Sequence, residues 1–207
     1  MKIKIIPILT LIFFSLLVKG QVYEAGNILF DVYAGGPNLY SAILRTAVKE
    51  APNLGNRVSD IRSSSSFPFV IKGEYLFSNR IGVGLNINYA NSSLSGTYRD
   101  STYTNNVPYD IKFSIRRLRV FPTFNIHMGS SEKLDPYFSF GLGYNNLKLR
   151  TQTNAPNIPS IGFSLPFPIA VRLEFGLRYF VTKNFGFHFQ LGLGGGPFFA
   201  LGLSTKF

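Results

Sequence analysis

The sequence predicts an all-β fold: an eight-stranded antiparallel up-and-down transmembrane β-barrel. Three observations predict it. Apolar residues recur with a period of two through most of the chain, which marks strands with two unlike faces. No apolar run of ~18 residues follows Gly20, so no later segment is long enough to cross a membrane as a helix. The connections between alternating segments are short and long in turn, as in a barrel with tight periplasmic turns and longer external loops.

Composition narrows the class. The chain has 207 residues, with 21 Lys+Arg, 10 Asp+Glu and no Cys. Its charged fraction of 15% is low against a typical ~25%, which fits neither disorder nor a well-solvated globule. The absence of Cys excludes a disulfide scaffold, a thiolate metal site and lipid anchoring through Cys. The length suits one domain.

Residues 1–20 read as a secretory signal peptide and 21–207 as the barrel domain. Lys2 and Lys4 give a positive start, and Ile5 to Val18 is apolar except for Pro7, Thr10 and Ser15. Val18 and Gly20 then precede Gln21 at a small-residue cleavage site. Removing Lys2, Lys4 and Lys19 takes the net charge from +11 to +8. The remaining cations are scattered and alternate with apolar residues, so they form no stripe for nucleic acid. Acidic head groups of outer-membrane lipid suit them better.

The strands are expected at about 26–34, 67–77, 81–90, 111–126, 136–149, 167–181, 185–193 and 198–207. In the third, Ile81, Val83, Leu85, Ile87 and Tyr89 alternate with Gly82, Gly84, Asn86, Asn88 and Ala90. Pro122 falls in the fourth, where it cannot donate to the ladder, and predicts a bulge. In the fifth, Phe138, Phe140, Leu142 and Tyr144 alternate with small residues. The sixth alternates from Ile169 to Tyr179, the seventh from Phe185 to Leu193, and the eighth from Leu201 to Phe207. Ser78-Asn79-Arg80 and Thr182-Lys183-Asn184 are tight turns, and Gly195-Gly196-Pro197 is a glycine-rich one.

The faces decide between a soluble and a membrane barrel. Glycine recurs on the smaller face at 82, 84, 141, 143, 176, 186, 192 and 202. Glycine covers little on a solvated face but fits a narrow lumen that side chains just fill. The other face is aliphatic and aromatic, which lipid accepts and water does not. Tyr75, Phe77, Phe124, Phe138, Tyr179 and Phe185 should form a periplasmic aromatic belt, with Tyr89, Tyr144 and Phe199 in the outer one.

Phe207 ends an alternating strand behind Leu203 and Thr205. With the signal peptide and the hairpin from Gly73-Glu74-Tyr75 to Ile81-Gly82-Val83-Gly84-Leu85, the chain resembles the OmpA/OmpX-like family of small outer-membrane β-barrels. The resemblance covers the whole mature chain. It implies location in the bacterial outer membrane and recognition of the terminal strand (Leu203, Thr205, Phe207) by the outer-membrane assembly machinery.

Parity places Asp31, Lys72, Glu74, Arg117, Arg119, Arg172, Glu174, Arg178 and Lys206 inside. That is six cations against three acids. Unpaired charge in so narrow a tube is costly, so ion pairs are expected to plug it. The surplus of cations favours the alternative, a narrow small-solute or anion channel. Arg178 and Ser204 are both expected opposite His188. Ser204, His188 and an acid invite a hydrolase reading, but Glu174 lies about 13 Å along the strand from Arg178, out of reach. No enzyme is expected. His127 is placed in the second turn, and two separated His without Cys support no metal site and no cofactor.

The segments 35–66 and 91–110 are expected to be external loops able to meet an external ligand or partner protein. Between Pro37 and Pro52, Leu39, Ile43, Ala47 and Leu44, Val48, Ala51 recur at helical spacing, so a short amphipathic helix at 39–51 is expected. Tyr98, Tyr103 and Tyr109 make 91–110 a polar, tyrosine-rich rim.

Overall fold

The computed structural model describes residues 24–38, 45–46, 48, 50, 58–99, 108–129, 131–155, 162–164 and 168–207. The signal-peptide expectation for 1–20 lies outside them. Ten strands are β1 (Ile28–Gly36), β2 (Val58–Ser65), β3 (Phe69–Leu76), β4 (Ile81–Arg99), β5 (Pro108–His127), β6 (Leu134–Thr153), β7 (Gly162–Ser164), β8 (Ile169–Phe180), β9 (Phe185–Gly194) and β10 (Phe199–Lys206). They make eight staves. β2 and β3 pair successive stretches of β4, and β7 and β8 pair successive stretches of β6.

All pairings are antiparallel, and the ring is closed and eight-stranded. β1 pairs with β3 on one side and with β10 on the other. Ile28 and Phe207 exchange two backbone hydrogen bonds at the seam, 3.0 and 2.9 Å long. Closure leaves no edge in the apolar zone, where an unpaired backbone group would cost several kcal/mol, roughly. β4, β5 and β6 continue past the ring. With β2 and β7 at their flanks they form a five-stranded external sheet.

The expected barrel is thus present, with corrections to its parts. Segment 91–110 is mostly strand: β4 runs to Arg99 and β5 starts at Pro108. Segment 35–66 contains β2, and β6 extends to Thr153. These stretches read as loops because their outward residues are polar and serine-rich. Pro122 makes no bulge. β5–β6 pairing drops residues 121 and 122 and resumes in the same register, Val120 with Tyr144 and Thr123 with Gly141. The bulge lies in β2, where the register shifts between Ser59 and Arg62 and Asp60 takes φ 54°.

Ser204 faces Gly186, and Gly202 faces His188. The last hairpin closes through the Gly192 N–H and the Phe198 carbonyl, which moves its centre one residue from the expected place. The other turn behaves as expected, and Arg178 faces His188.

Candidate functional site: the lumen and the external sheet

The lumen is filled in layers. At the end of the barrel that carries the tight turns, Leu29, Leu76 and Phe180 pack as an apolar floor. Lys206 lies below it, its Nζ 5.5 Å from the Phe180 ring centre. Above the floor a single guanidinium serves three acids. Arg178 donates to Asp31 (2.6 Å), Glu74 (2.8 Å) and Asp135 (3.1 Å). His127 bridges two of them, with Nε2 2.8 Å from Glu74 and Nδ1 2.9 Å from Asp135. Ser204 donates to Asp31 at 2.6 Å.

A second cluster sits above the first. Glu174 accepts from Arg172, from Lys72 Nζ (3.3 Å) and from Asn86 (3.0 Å). Asn86 also donates to the Tyr33 hydroxyl at 3.0 Å. Tyr137 lies between the clusters. Its ring has Arg178 Cζ at 4.1 Å and Lys72 Nζ at 4.4 Å from its centre, and its hydroxyl is 2.8 Å from His188 Nε2. Lumen glycines make the room. A Cβ on Gly82 would strike Glu74, one on Gly176 the Tyr137 ring, and one on Gly192 the Arg172 guanidinium.

The last external turn folds over the top. Arg172 donates to the Pro197 carbonyl at 3.3 Å. A Cβ on Gly195 would meet Phe121 and Arg119, and one on Gly196 would meet Arg172 and Asn88. Arg117 and Arg119 both donate to Asn145, at 2.8 and 3.2 Å.

The nine charges assigned inward by parity divide into two groups. Asp31, Lys72, Glu74, Arg172, Glu174 and Arg178 form the buried network. Arg117 and Arg119 lie above it and Lys206 below. The count of three acids is corrected to four. Asp135 opens the inward face of β6, and His127 is the last residue of β5, not part of a turn; both are buried. Parity finds both once the strands are extended to 127 and 134. The polar run around Gly129 and Ser131 had placed them in a connection. The network then holds Asp31, Glu74, Asp135 and Glu174 against Lys72, Arg172 and Arg178, with His127 between Glu74 and Asp135.

Among the described residues, Ser204 and His188 do not pair with each other. Ser204 is bonded to Asp31 and His188 to Tyr137, one strand pair apart. Among the described residues no group of His, Asp and Glu is arranged to hold a metal ion.

The external sheet inverts the barrel's pattern without a change of parity. Along β4 the inward residues pass from Asn86 and Asn88 to Leu94 and Tyr98, while the outward ones pass from Ile87 and Tyr89 to Ser93 and Ser95. The inward side of the sheet is an apolar cluster of Val58, Leu94, Tyr98, Ile111, Ile115 and Leu147, with Val48 packed against it. Of the expected 39–51 helix, residues 45, 46, 48 and 50 are described and are helical; the rest lies outside the described residues. A hollow of about 650 Å3 near the sheet's far end is lined by Asp60, Arg62, Asp110 and Lys112 among others, with its acids and cations in balance.

No family model matches the chain, and no match is found among curated proteins. Solved structures similar to it include the N-terminal β-barrel domain of Pseudomonas aeruginosa OprF, at 14% identity over 89% of this chain and 100% of that one, with a TM-score of 0.46. The outer membrane protein OprG of Pseudomonas aeruginosa is similar at 13% identity over 92% and 99%, with a TM-score of 0.46. The attachment invasion locus protein Ail of Yersinia pestis, solved with the heparin analogue sucrose octasulfate, is similar at 15% identity over 88% and 99%, with a TM-score of 0.44. These are small outer-membrane barrels, the kind of protein the sequence resembles. The architecture itself stands on the closed strand pairing and the outward apolar belt.

Proposed function

We propose that the chain is an integral bacterial outer-membrane barrel, exported with removal of residues 1–20, whose lumen is closed by its own side chains. Its task is then structural, or contact with an external ligand or partner protein through the segments 35–66 and 91–110. The buried, ion-paired network across the lumen carries this reading. Asp31, Lys72, Glu74, His127, Asp135, Arg172, Glu174 and Arg178 come from five strands, and each is at most 3% exposed. Arg117, Arg119 and Lys206, the other three cations placed inward, lie at the two ends of that network. No catalytic role is proposed, since Ser204 and His188 are engaged with different partners.

Single-channel recording of the purified chain in planar bilayers tests the closed lumen. Silence is expected; steady openings would overturn it in favour of a narrow small-solute or anion channel. Recognition by the assembly machinery is proposed to use the terminal strand, where Leu203 and Phe207 face outward and Phe207 also closes the seam.

A further inference from the structure

The outward face of the external sheet is basic where it meets the apolar belt. Arg116 lies one outward position above Leu118 on β5, and Lys148 two outward positions above Tyr144 on β6. Arg116 and Lys148 are directly opposed across the strand pair, and Arg150, opposite Ser114, is the next outward residue on β6. All three are exposed. Directly opposed side chains have Cβ atoms about 4.5–5.5 Å apart, and diagonal ones about 7–8 Å. Three full positive charges therefore share one small triangle.

Nothing among the described residues offsets them. Among the described residues, none of the three makes an ion pair. Their outward neighbours across the sheet are Asn91, Ser93 and Ser114 on β4 and β5, and β7 pairs Ser164 with Lys148 and Gly162 with Arg150; all are uncharged. The nearest outward acid on β5, Asp110, is four residues from Ser114, about 13 Å along the strand. Like charges directly opposed across a sheet are destabilising. In the lumen, by contrast, Lys72, Arg172 and Arg178 each have a carboxylate partner, so the exposed triangle calls for an anion from outside the chain. Its position names the source. A bilayer's polar zone extends about 5–7 Å beyond each side of its hydrocarbon core. Arg116 stands about 7 Å along the strand from Leu118, and the long side chains of Arg and Lys reach back toward the interface.

We propose that Arg116, Lys148 and Arg150 form a binding site for the phosphate of an outer-leaflet lipid head group, whose acyl chains lie on the apolar face of β4, β5 and β6 directly below. The proposal rests on the membrane-spanning reading and goes beyond it by giving the barrel one lipid-selective side. Arginine suits this task, since its planar fork matches phosphate oxygens in pairs.

The test uses the full chain in phosphatidylcholine vesicles with and without phosphatidic acid. Spin-labelled phosphatidic acid and spin-labelled phosphatidylcholine report which lipid the barrel retains. The wild type should prefer the acid. Each of Arg116→Gln and Lys148→Gln should cut that preference about fivefold, the equivalent of ~1 kcal/mol per cation at a membrane surface. The triple variant R116Q/K148Q/R150Q should fall to parity, while R62Q/K112Q, farther from the belt, should keep the preference. Urea midpoints give a second readout with a change of sign. Arg116→Gln should raise the midpoint in pure phosphatidylcholine, by relieving repulsion, and lower it when phosphatidic acid is present. Equal retention of both lipids by the wild type, or equal losses in the two multiple variants, would overturn the proposal. Heat-modifiable gel mobility, read on the same samples, separates that failure from failure to form the barrel.

Discussion

Arg178 shows how one side chain can fix several strands at once. Its planar guanidinium offers five N–H donors, and Asp31, Glu74 and Asp135 bring three strands to it. Arg178→Met would leave three carboxylates facing one another without the guanidinium that joins them. Removing one partner from a buried ion pair costs ~3–5 kcal/mol, so a large fall in urea midpoint is expected in vesicles. Asp110→Asn, at an exposed position, should shift it by less than about 1 kcal/mol. Equal midpoints for the two variants would mean that solvent screens the lumen. Gly176 tests packing at the same level. Its missing Cβ is what admits the Tyr137 ring, so Gly176→Ala should cost about 1–3 kcal/mol through overpacking. An unchanged midpoint would show that Tyr137 has room to move. Much of this site was legible from parity, because side chains alternate strictly between faces and a charge on the small face has nowhere else to go. Asp135 and His127 were missed for a local reason: the polar residues around them look like a turn, and only the register shows that the strands continue.

The external sheet was the less legible element. Sequence reading ended the third stave at residue 90, since beyond it Asn91, Ser93 and Ser95 replace the apolar outward residues. That change marks the end of lipid, not the end of the strand. Ala90, Leu94 and Tyr98 keep the inward parity, and the apolar face simply moves from outside to inside as the solvent changes. If the cluster of Leu94, Val58, Ile115 and Leu147 holds the sheet, it should melt apart from the barrel. Leu94→Asp puts a charge into that cluster and should expose Lys112 and Arg116 to external trypsin in intact vesicles, while the heat-modifiable barrel band persists. Loss of the barrel band, or full resistance to trypsin, would show that sheet and barrel are one cooperative unit. At the opposite end, Phe207 joins backbone pairing to an outward ring. Phe207→Asp leaves the backbone bonds in place, so a drop in cellular folded yield close to that of deleting Phe207, with Thr205→Val near wild type, assigns the terminal role to the ring. Equal yields for all three would remove it.

At the scale of the molecule, the two inversions of polarity define a slab. On β4 the outward apolar residues run from Ile81 to Tyr89, and the first polar one beyond is Asn91. Eight steps of ~3.3 Å, inclined by ~40° to the barrel axis, give a height of about 20 Å. On β9 the run from Phe185 to Leu193 spans the same eight steps and the same height. β8 is apolar outward over a longer stretch, from Ile169 to Val181, so the belt is deeper on that side. Most of the belt is thus thinner than the ~30 Å hydrocarbon core of a common bilayer. A hydrophobic element shorter than its bilayer forces local thinning, at fractions of a kcal/mol per Å of mismatch. Spread around a closed ring, that cost should govern insertion. Unassisted folding from urea should therefore be more complete in vesicles of short-chain lipids than in those of eighteen-carbon lipids, with the higher urea midpoint in the thinner bilayer. The basic triangle above β5 and β6 should keep its lipid preference in both, because it follows the head groups and not the hydrocarbon. Equal yields and midpoints in the two bilayers would mean that the belt is effectively as deep as β8 makes it on its own side. Arg116, above Leu118, would then lie within the hydrocarbon, where a charge is costly.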